Sequence, residues 1–177
     1  MSPSHLAPWH LAPWIVDVPV IHYTPMIEAQ TGLFTVGVFQ DVAWASRGLD
    51  ALKEAGFPPE ALTILARDGA EVAALIDKTF GAPAERFDLA DVGPVVFRGS
   101  LMDALQGSAR DLAAVGLAGT MRRVGFQAHD GRIFEVLTAR GGVLVGIRGE
   151  PRAADALAIM HSYGGGNAAI GAWAGRV

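Results

Sequence analysis

The sequence predicts one α+β domain whose core consists of two copies of a strand–helix unit. Residues 36–56 and 145–165 correspond at a constant offset of 109 positions. Each copy begins with a Val-Gly-aliphatic triplet, continues through an acidic residue into a helical pattern, and ends on a glycine. The stretch between the copies is long, and its apolar residues recur at helical spacing. These observations predict a duplicated β-α-β core that is interrupted by an insertion.

The first unit is predicted to run as strand, helix and strand. Residues 33–39 are a short, apolar, β-prone run that is typical of a buried strand. Asp41 follows at a helix N-cap position, where its carboxylate accepts hydrogen bonds from free backbone amides. Residues 42–54 then carry their apolar side chains on one helical face. Gly56 ends this helix with a left-handed conformation, and residues 61–66 form the next strand.

The second unit repeats this order. A strand over residues 142–148 is followed by Glu150, the acidic start of a helix over residues 152–163. Residues 164–166 are glycines that end the helix, and residues 167–172 are the predicted last strand. Two β-α-β units in one chain predict a ferredoxin-like core, which is a four-stranded antiparallel sheet with both helices on one face. The other face must then be covered by the insertion, the N-terminal arm or a second subunit.

The insertion between the two units, roughly residues 67–141, is predicted to be a helical lobe. Helical periodicity is present over residues 70–80, 102–117 and 130–140. At 177 residues the chain is long enough for one domain with a substantial core. We therefore predict that residues 33–177 form a single domain with this lobe inserted between its halves.

Residues 1–32 are predicted to form an extended arm that is rich in proline and tryptophan. They contain the tandem repeat His-Leu-Ala-Pro-Trp at positions 5–9 and 10–14. The prolines are incompatible with a helix interior, and Trp9 and Trp14 are large apolar side chains that gain by burial. We predict that both tryptophans lie at an interface, either with this domain, with a neighbouring subunit or with another protein.

The composition favours a protein that associates with itself. Hydrophobic residues make up 51% of the chain and charged residues 18%, whereas soluble proteins average about 25% charged residues. The net charge is −4 and no run of Lys or Arg exceeds two residues, which argues against a nucleic-acid partner. No apolar stretch approaches the roughly 18–20 residues that are needed to span a bilayer. We expect a cytoplasmic homo-oligomer.

No catalytic, metal-binding or cofactor-binding set is predicted. The chain has no cysteine, which excludes disulfides, thiolate metal sites and a cysteine nucleophile. None of the five histidines has the i,i+4 partner of a zinc-binding helix. Asp41 and Glu150 place negative charge where a strand–helix junction would bind a phosphate. The sequence therefore predicts a non-enzymatic protein without a metal or a cofactor.

Four short apolar or glycine-containing segments occur in a particular order along the chain, at residues 36–41, 55–59, 92–95 (followed by Gly99 and Leu101) and 140–145. In this order they resemble the bacterial general stress protein group that is related to the heat-induced and low-temperature-induced proteins. The resemblance covers residues 35–160 and implies a stress-associated protein with a ferredoxin-like core and no established catalytic residue. In that group the middle segment is apolar and rich in glycine and alanine. Polar and charged residues interrupt it here, which argues against membrane insertion.

The sequence leaves two functions open. The first is a non-enzymatic stress-response protein that acts through self-association or by binding a partner. The alternative is a sensor or regulatory module that binds an anionic small metabolite between the core and the lobe. Arg122, Arg123 and His129 are the candidate ligand-binding residues for this alternative, because they offer polar contacts to an anion.

Overall fold

The structure is a computed structural model that describes residues 34–149 and 152–166. The predicted arm, Glu150 and the predicted strand at 167–172 lie outside the described residues. In chain order the elements are β1 (Phe34–Phe39), α1 (Val42–Glu54), β2 (Leu62–Arg67), α2 (Ala70–Phe80), β3 (Glu85–Leu89), β4 (Gly93–Gly99), α3 (Ser100–Gln106), α4 (Leu112–Thr120), α5 (Ala128–Ala139), β5 (Val143–Arg148) and α6 (Ala153–Ser162).

The described strands form one sheet in the order β1-β5-β2-β4-β3, and every neighbouring pair is antiparallel. The duplicated triplets lie side by side in this sheet, since Gly37 of β1 is opposite Val145 of β5 and Val36 is opposite Gly146. β5 thus lies between β1 and β2, the two strands that α1 connects. The predicted α+β class is confirmed, but the described sheet has five strands where the sequence predicts four.

The insertion differs from the predicted helical lobe because it contains β3 and β4, which extend the sheet. β3 is short and mostly exposed, so it lacks the apolar run by which β1, β2 and β5 are found in the sequence. The helix predicted over 102–117 is divided into α3 and α4. Arg110 lies between them with a φ of 50°, a backbone conformation that a continuous helix does not contain.

The helices cover both faces of the sheet. α1, α2 and α6 pack on one face, over a core that includes Phe39, Leu52, Ile64, Ile76 and Met160. α3, α4 and α5 pack on the other face, over a core that includes Val36, Leu101, Leu117, Phe134 and Leu144. Three helices of the insertion, α3, α4 and α5, therefore cover the face that the sequence left to the insertion, the arm or a second subunit.

A buried carboxylate fixes the bend in α4. The helix departs from helical geometry at Gly116, where φ is 85° and ψ is 170°. Glu135 of α5 is only 3% exposed. Its Oε2 accepts a hydrogen bond of 3.0 Å from the N–H of Ala118, just after the bend, and its Oε1 accepts one of 3.0 Å from Arg132. The carboxylate thus satisfies an amide that the bend leaves without a helical partner.

Among the described residues, no helix combines the length and the apolar character that crossing a membrane requires.

Candidate functional site

The candidate site is the outer edge of β3, the last described strand at one side of the sheet. Its backbone orientation follows from Pro94 of β4, whose carbonyl accepts a hydrogen bond of 2.9 Å from the N–H of Asp68, just after β2. Backbone polar groups alternate in direction along a strand, so residue 94 faces β2 and its neighbours face β3. Asp88 lies opposite Pro94, and Arg86 lies opposite Val96. The N–H and C=O groups of Arg86 and Asp88 therefore point away from the sheet.

The side chains of Arg86, Phe87 and Asp88 alternate between the two faces of the sheet. Arg86 and Asp88 are exposed on the face that carries α2. Arg86 Nε lies 3.4 Å from Asp68 Oδ2, in an ion pair whose side chains are 57% and 40% exposed. Phe87 is half-buried on the opposite face and meets Phe97 edge to face at 4.9 Å between ring centroids. At the centre of this edge, charged side chains thus lie on one face and an aromatic side chain lies on the other.

Both ends of this edge are fixed by contacts with the rest of the domain. At one end the N–H of Ala90 donates to the carbonyl of Ala113 in α4, at 2.9 Å. At the other end Arg98 Nη1 donates to the carbonyl of Pro83 at 2.9 Å and lies 3.9 Å from a carboxylate oxygen of Glu85. Within the described residues, the open edge is therefore limited to β3 itself and is held in a fixed position.

The opposite side of the described sheet is different. The N–H of Val38 in β1 donates a hydrogen bond of 2.9 Å to the carbonyl of Gly166, and these residues form an antiparallel bridge. All six residues of β1 are buried. The chain that follows α6 thus begins to cover the edge of β1. Of the two outer strands described, β3 is the one with an open edge.

The predicted ligand-binding residues lie at the ends of helices in the insertion. Arg123 Nη1 donates to the carbonyls of Leu105 and Gln106, at 2.7 and 3.0 Å, and lies 2.7 Å from Asp111 Oδ1. Because these carbonyls belong to the last turn of α3, Arg123 caps that helix. The Arg123 guanidinium beside Asp111 holds the pKa of that carboxyl below its usual range, and the carboxylate raises the pKa of Arg123 in turn.

Arg122 and His129 are exposed. None of the hydrogen bonds or ion pairs within the described part of the chain joins Arg122, Arg123 and His129 into one cluster. Their role as ligand-binding residues stays a prediction. Trp9 and Trp14, the predicted interface residues of the arm, lie outside the described residues.

A cavity of about 340 Å³ opens at the end of the sheet where β2 and β3 begin and β4 ends. Its charged lining consists of one guanidinium and three carboxylates, from Arg98, Glu60, Glu85 and Asp103, beside apolar side chains that include Phe80 and Met102. This lining suits a positively charged ligand better than the anionic metabolite of the alternative function. Within the described ranges no group of three or more His, Cys, Asp or Glu residues is placed to hold a metal ion.

Sequence reasoning missed the edge of β3. Charged and aromatic side chains alternate in Arg86-Phe87-Asp88, as the sequence shows. This alternation indicates a surface for pairing with another strand only once the segment is known to be an edge strand. In the sequence this segment lies within the predicted helical lobe, where an alternation at strand spacing has no role.

No family model, no curated protein and no solved structure matches this chain.

Proposed function

We propose that this protein is a non-enzymatic, stress-associated protein that acts through self-association, and that the edge of β3 is the surface by which it associates. The stress association rests on the resemblance of the four ordered segments described above. The self-association rests on one observation, the outward-pointing backbone groups of Arg86 and Asp88.

An open strand edge supports association for a simple reason. Its N–H and C=O groups are a template on which another strand can pair, and β-strand addition is a common mode of protein recognition. Arg86 and Asp88 together present two donors and two acceptors at fixed positions, because both ends of β3 are held by the domain. Phe87 adds a half-buried aromatic side chain at the centre of the same edge. The edge thus combines backbone pairing with an apolar contact.

The proposal includes a ferredoxin-like core. Two features support it: β5 lies between the strands that α1 connects, and α1 and α6 share a face of the sheet. The antiparallel bridge between Val38 and Gly166 lies at the edge of β1 where a ferredoxin-like core has its fourth strand. The strands β3 and β4 then extend the core sheet on the side away from β1.

The alternative function, a sensor for an anionic metabolite, has less support. Nη1 of Arg123 already contacts two carbonyls and a carboxylate, and three carboxylates line the cavity beside Arg98. We therefore favour self-association as the function.

Light scattering on the full chain over the micromolar range tests this function. We expect the mean mass to rise with concentration from that of one chain to that of two. Asp88→Pro removes an outward N–H and leaves the bonds between β3 and β4 in place, so association should require at least about tenfold more protein. Asp88→Asn keeps that N–H and should have a smaller effect. A single-chain mass throughout the range, or association of Asp88→Pro equal to that of the unchanged protein, would refute the function.

A further inference from the structure

We propose that the strand which pairs with β3 is β3 of a second copy, antiparallel and centred on Phe87, so that Arg86 of each copy lies opposite Asp88 of the other. This inference rests on the proposed function and specifies its partner and register. It predicts a closed dimer in which the two five-stranded sheets join into one.

The symmetry of two identical strands restricts the registers that are possible. A two-fold axis perpendicular to the sheet keeps each face continuous across the dimer, and directly opposite residues must share a face. Residues of even number in β3 therefore oppose residues of even number in the second copy. Only registers that differ by steps of two residues remain.

Charge selects one of these registers. When Phe87 lies opposite Phe87 of the second copy, Arg86 meets Asp88 twice, once on each side of the axis. A shift of the register in one direction places Arg86 opposite Arg86, and a shift in the other direction places Asp88 opposite Asp88. Like charges directly opposite are destabilising and opposite charges are stabilising. Residues 86–88 are therefore complementary to the same residues of a second copy in the register centred on Phe87.

The backbone agrees with this register. Residues 86 and 88 have their N–H and C=O groups on the open side of β3, so each opposed 86–88 pair can exchange two hydrogen bonds. The Phe87 pair is then of the type without hydrogen bonds, in which the side chains approach most closely. The two Phe87 rings would extend the edge-to-face contact that each already makes with Phe97.

Two single charge reversals test the register. Arg86→Asp places Asp opposite Asp at both symmetric positions, and Asp88→Arg places Arg opposite Arg. We expect each variant alone to dimerise at least about tenfold more weakly than the unchanged chain. A mixture of the two variants restores opposite charges at both positions, and the mixed dimer should form within about threefold of the original affinity. Light scattering and analytical ultracentrifugation of the full-length proteins measure the dimerisation of each variant and of their mixture.

The controls separate folding from association. The ion pair between Arg86 and Asp68 is exposed and contributes little to folding, so both variants should keep the circular dichroism spectrum of the parent. Glu54→Arg reverses an exposed charge on α1, which does not line β3, and should leave the dimer unchanged.

Recovery of the dimer on mixing is the expected result, since a damaged fold is not repaired by a second damaged chain. If the unchanged protein dimerises and the mixture fails to recover, the register is wrong while self-association stands. If β3 instead pairs with another segment of the same chain, the unchanged protein stays a monomer, and both proposals fail.

Discussion

Gly99→Ala is expected to lower the free energy of unfolding by about 3–5 kcal/mol, because two separate costs add. Gly99 has a φ of 126°, a conformation that is essentially restricted to glycine. A Cβ at this position would also lie 2.5 Å from Cα and from Oγ1 of Thr63 in β2. The backbone of a central strand cannot move aside without breaking its hydrogen bonds.

Gly99 has this effect because the chain leaves the sheet there. β4 ends at Gly99 and α3 begins at the next residue. The N–H of Leu101 donates a hydrogen bond of 3.0 Å to Thr63 Oγ1, which ties the start of α3 to β2. An added methyl group would separate these elements and displace Leu101 from the core beneath α3.

Urea unfolding, monitored by circular dichroism, measures this change in the free energy of unfolding. Gly69→Ala is the matched control, since Gly69 has an extended backbone and the nearest atom to an added Cβ is 4.0 Å away. Gly69 is the N-cap of α2, where alanine is the poorer residue, so we expect the control to lose less than about 1 kcal/mol. A Gly99→Ala variant within about 1 kcal/mol of the parent would contradict the packing described here.

Glu135→Ala is expected to cost about 2–4 kcal/mol of stability. The change leaves the amide of Ala118 without its acceptor inside the insertion, at the bend of α4. It also removes a buried side chain from the contact between α4 and α5. Glu135→Gln keeps an oxygen for the Ala118 amide and should lose less than half as much.

Arg132, the exposed ion-pair partner of Glu135, provides a comparison for the loss of stability in Glu135→Ala. The Arg132 side chain is 67% exposed, and an ion pair with such an exposed group contributes little to stability. Its loss does, however, leave the buried carboxylate of Glu135 with one fewer hydrogen bond. We expect Arg132→Ala to cost less than Glu135→Ala when both are measured by urea unfolding. Equal losses for the two variants would show that the charge pair, and not the bond to Ala118, is the main contribution.

The sequence predicts those parts of the fold that carry strong apolar patterns. α2 has the predicted bounds, and β1, α1, β2, β5 and α6 lie within one or two residues of theirs. The β3–β4 pair was not predicted. Most residues of β3 are exposed and charged, so this strand lacks the apolar run by which a strand is recognised in the sequence. The division of the helix at 102–117 depends on a positive φ at Arg110, and local sequence preference does not indicate this for an arginine.

The site was harder to predict than the fold, for a physical reason. In the sequence Arg123 is a candidate for binding an anion. In the structure its guanidinium instead caps α3 through carbonyls some seventeen residues away. The hydrophobic periodicity of the sequence does not indicate a contact between residues so far apart in the chain. The pattern at Arg86 and Asp88 likewise acquires meaning only from the position of β3 at the end of the sheet.

Amide hydrogen exchange, resolved by residue in the full chain at low and at high concentration, tests most directly whether the protein associates through β3. We predict that the amides of Arg86 and Asp88 exchange rapidly in dilute solution and become protected as the concentration rises. The amide of Phe87 faces β4 and should be protected in both samples. Equal exchange rates for Arg86 and Asp88 at the two concentrations would contradict the account.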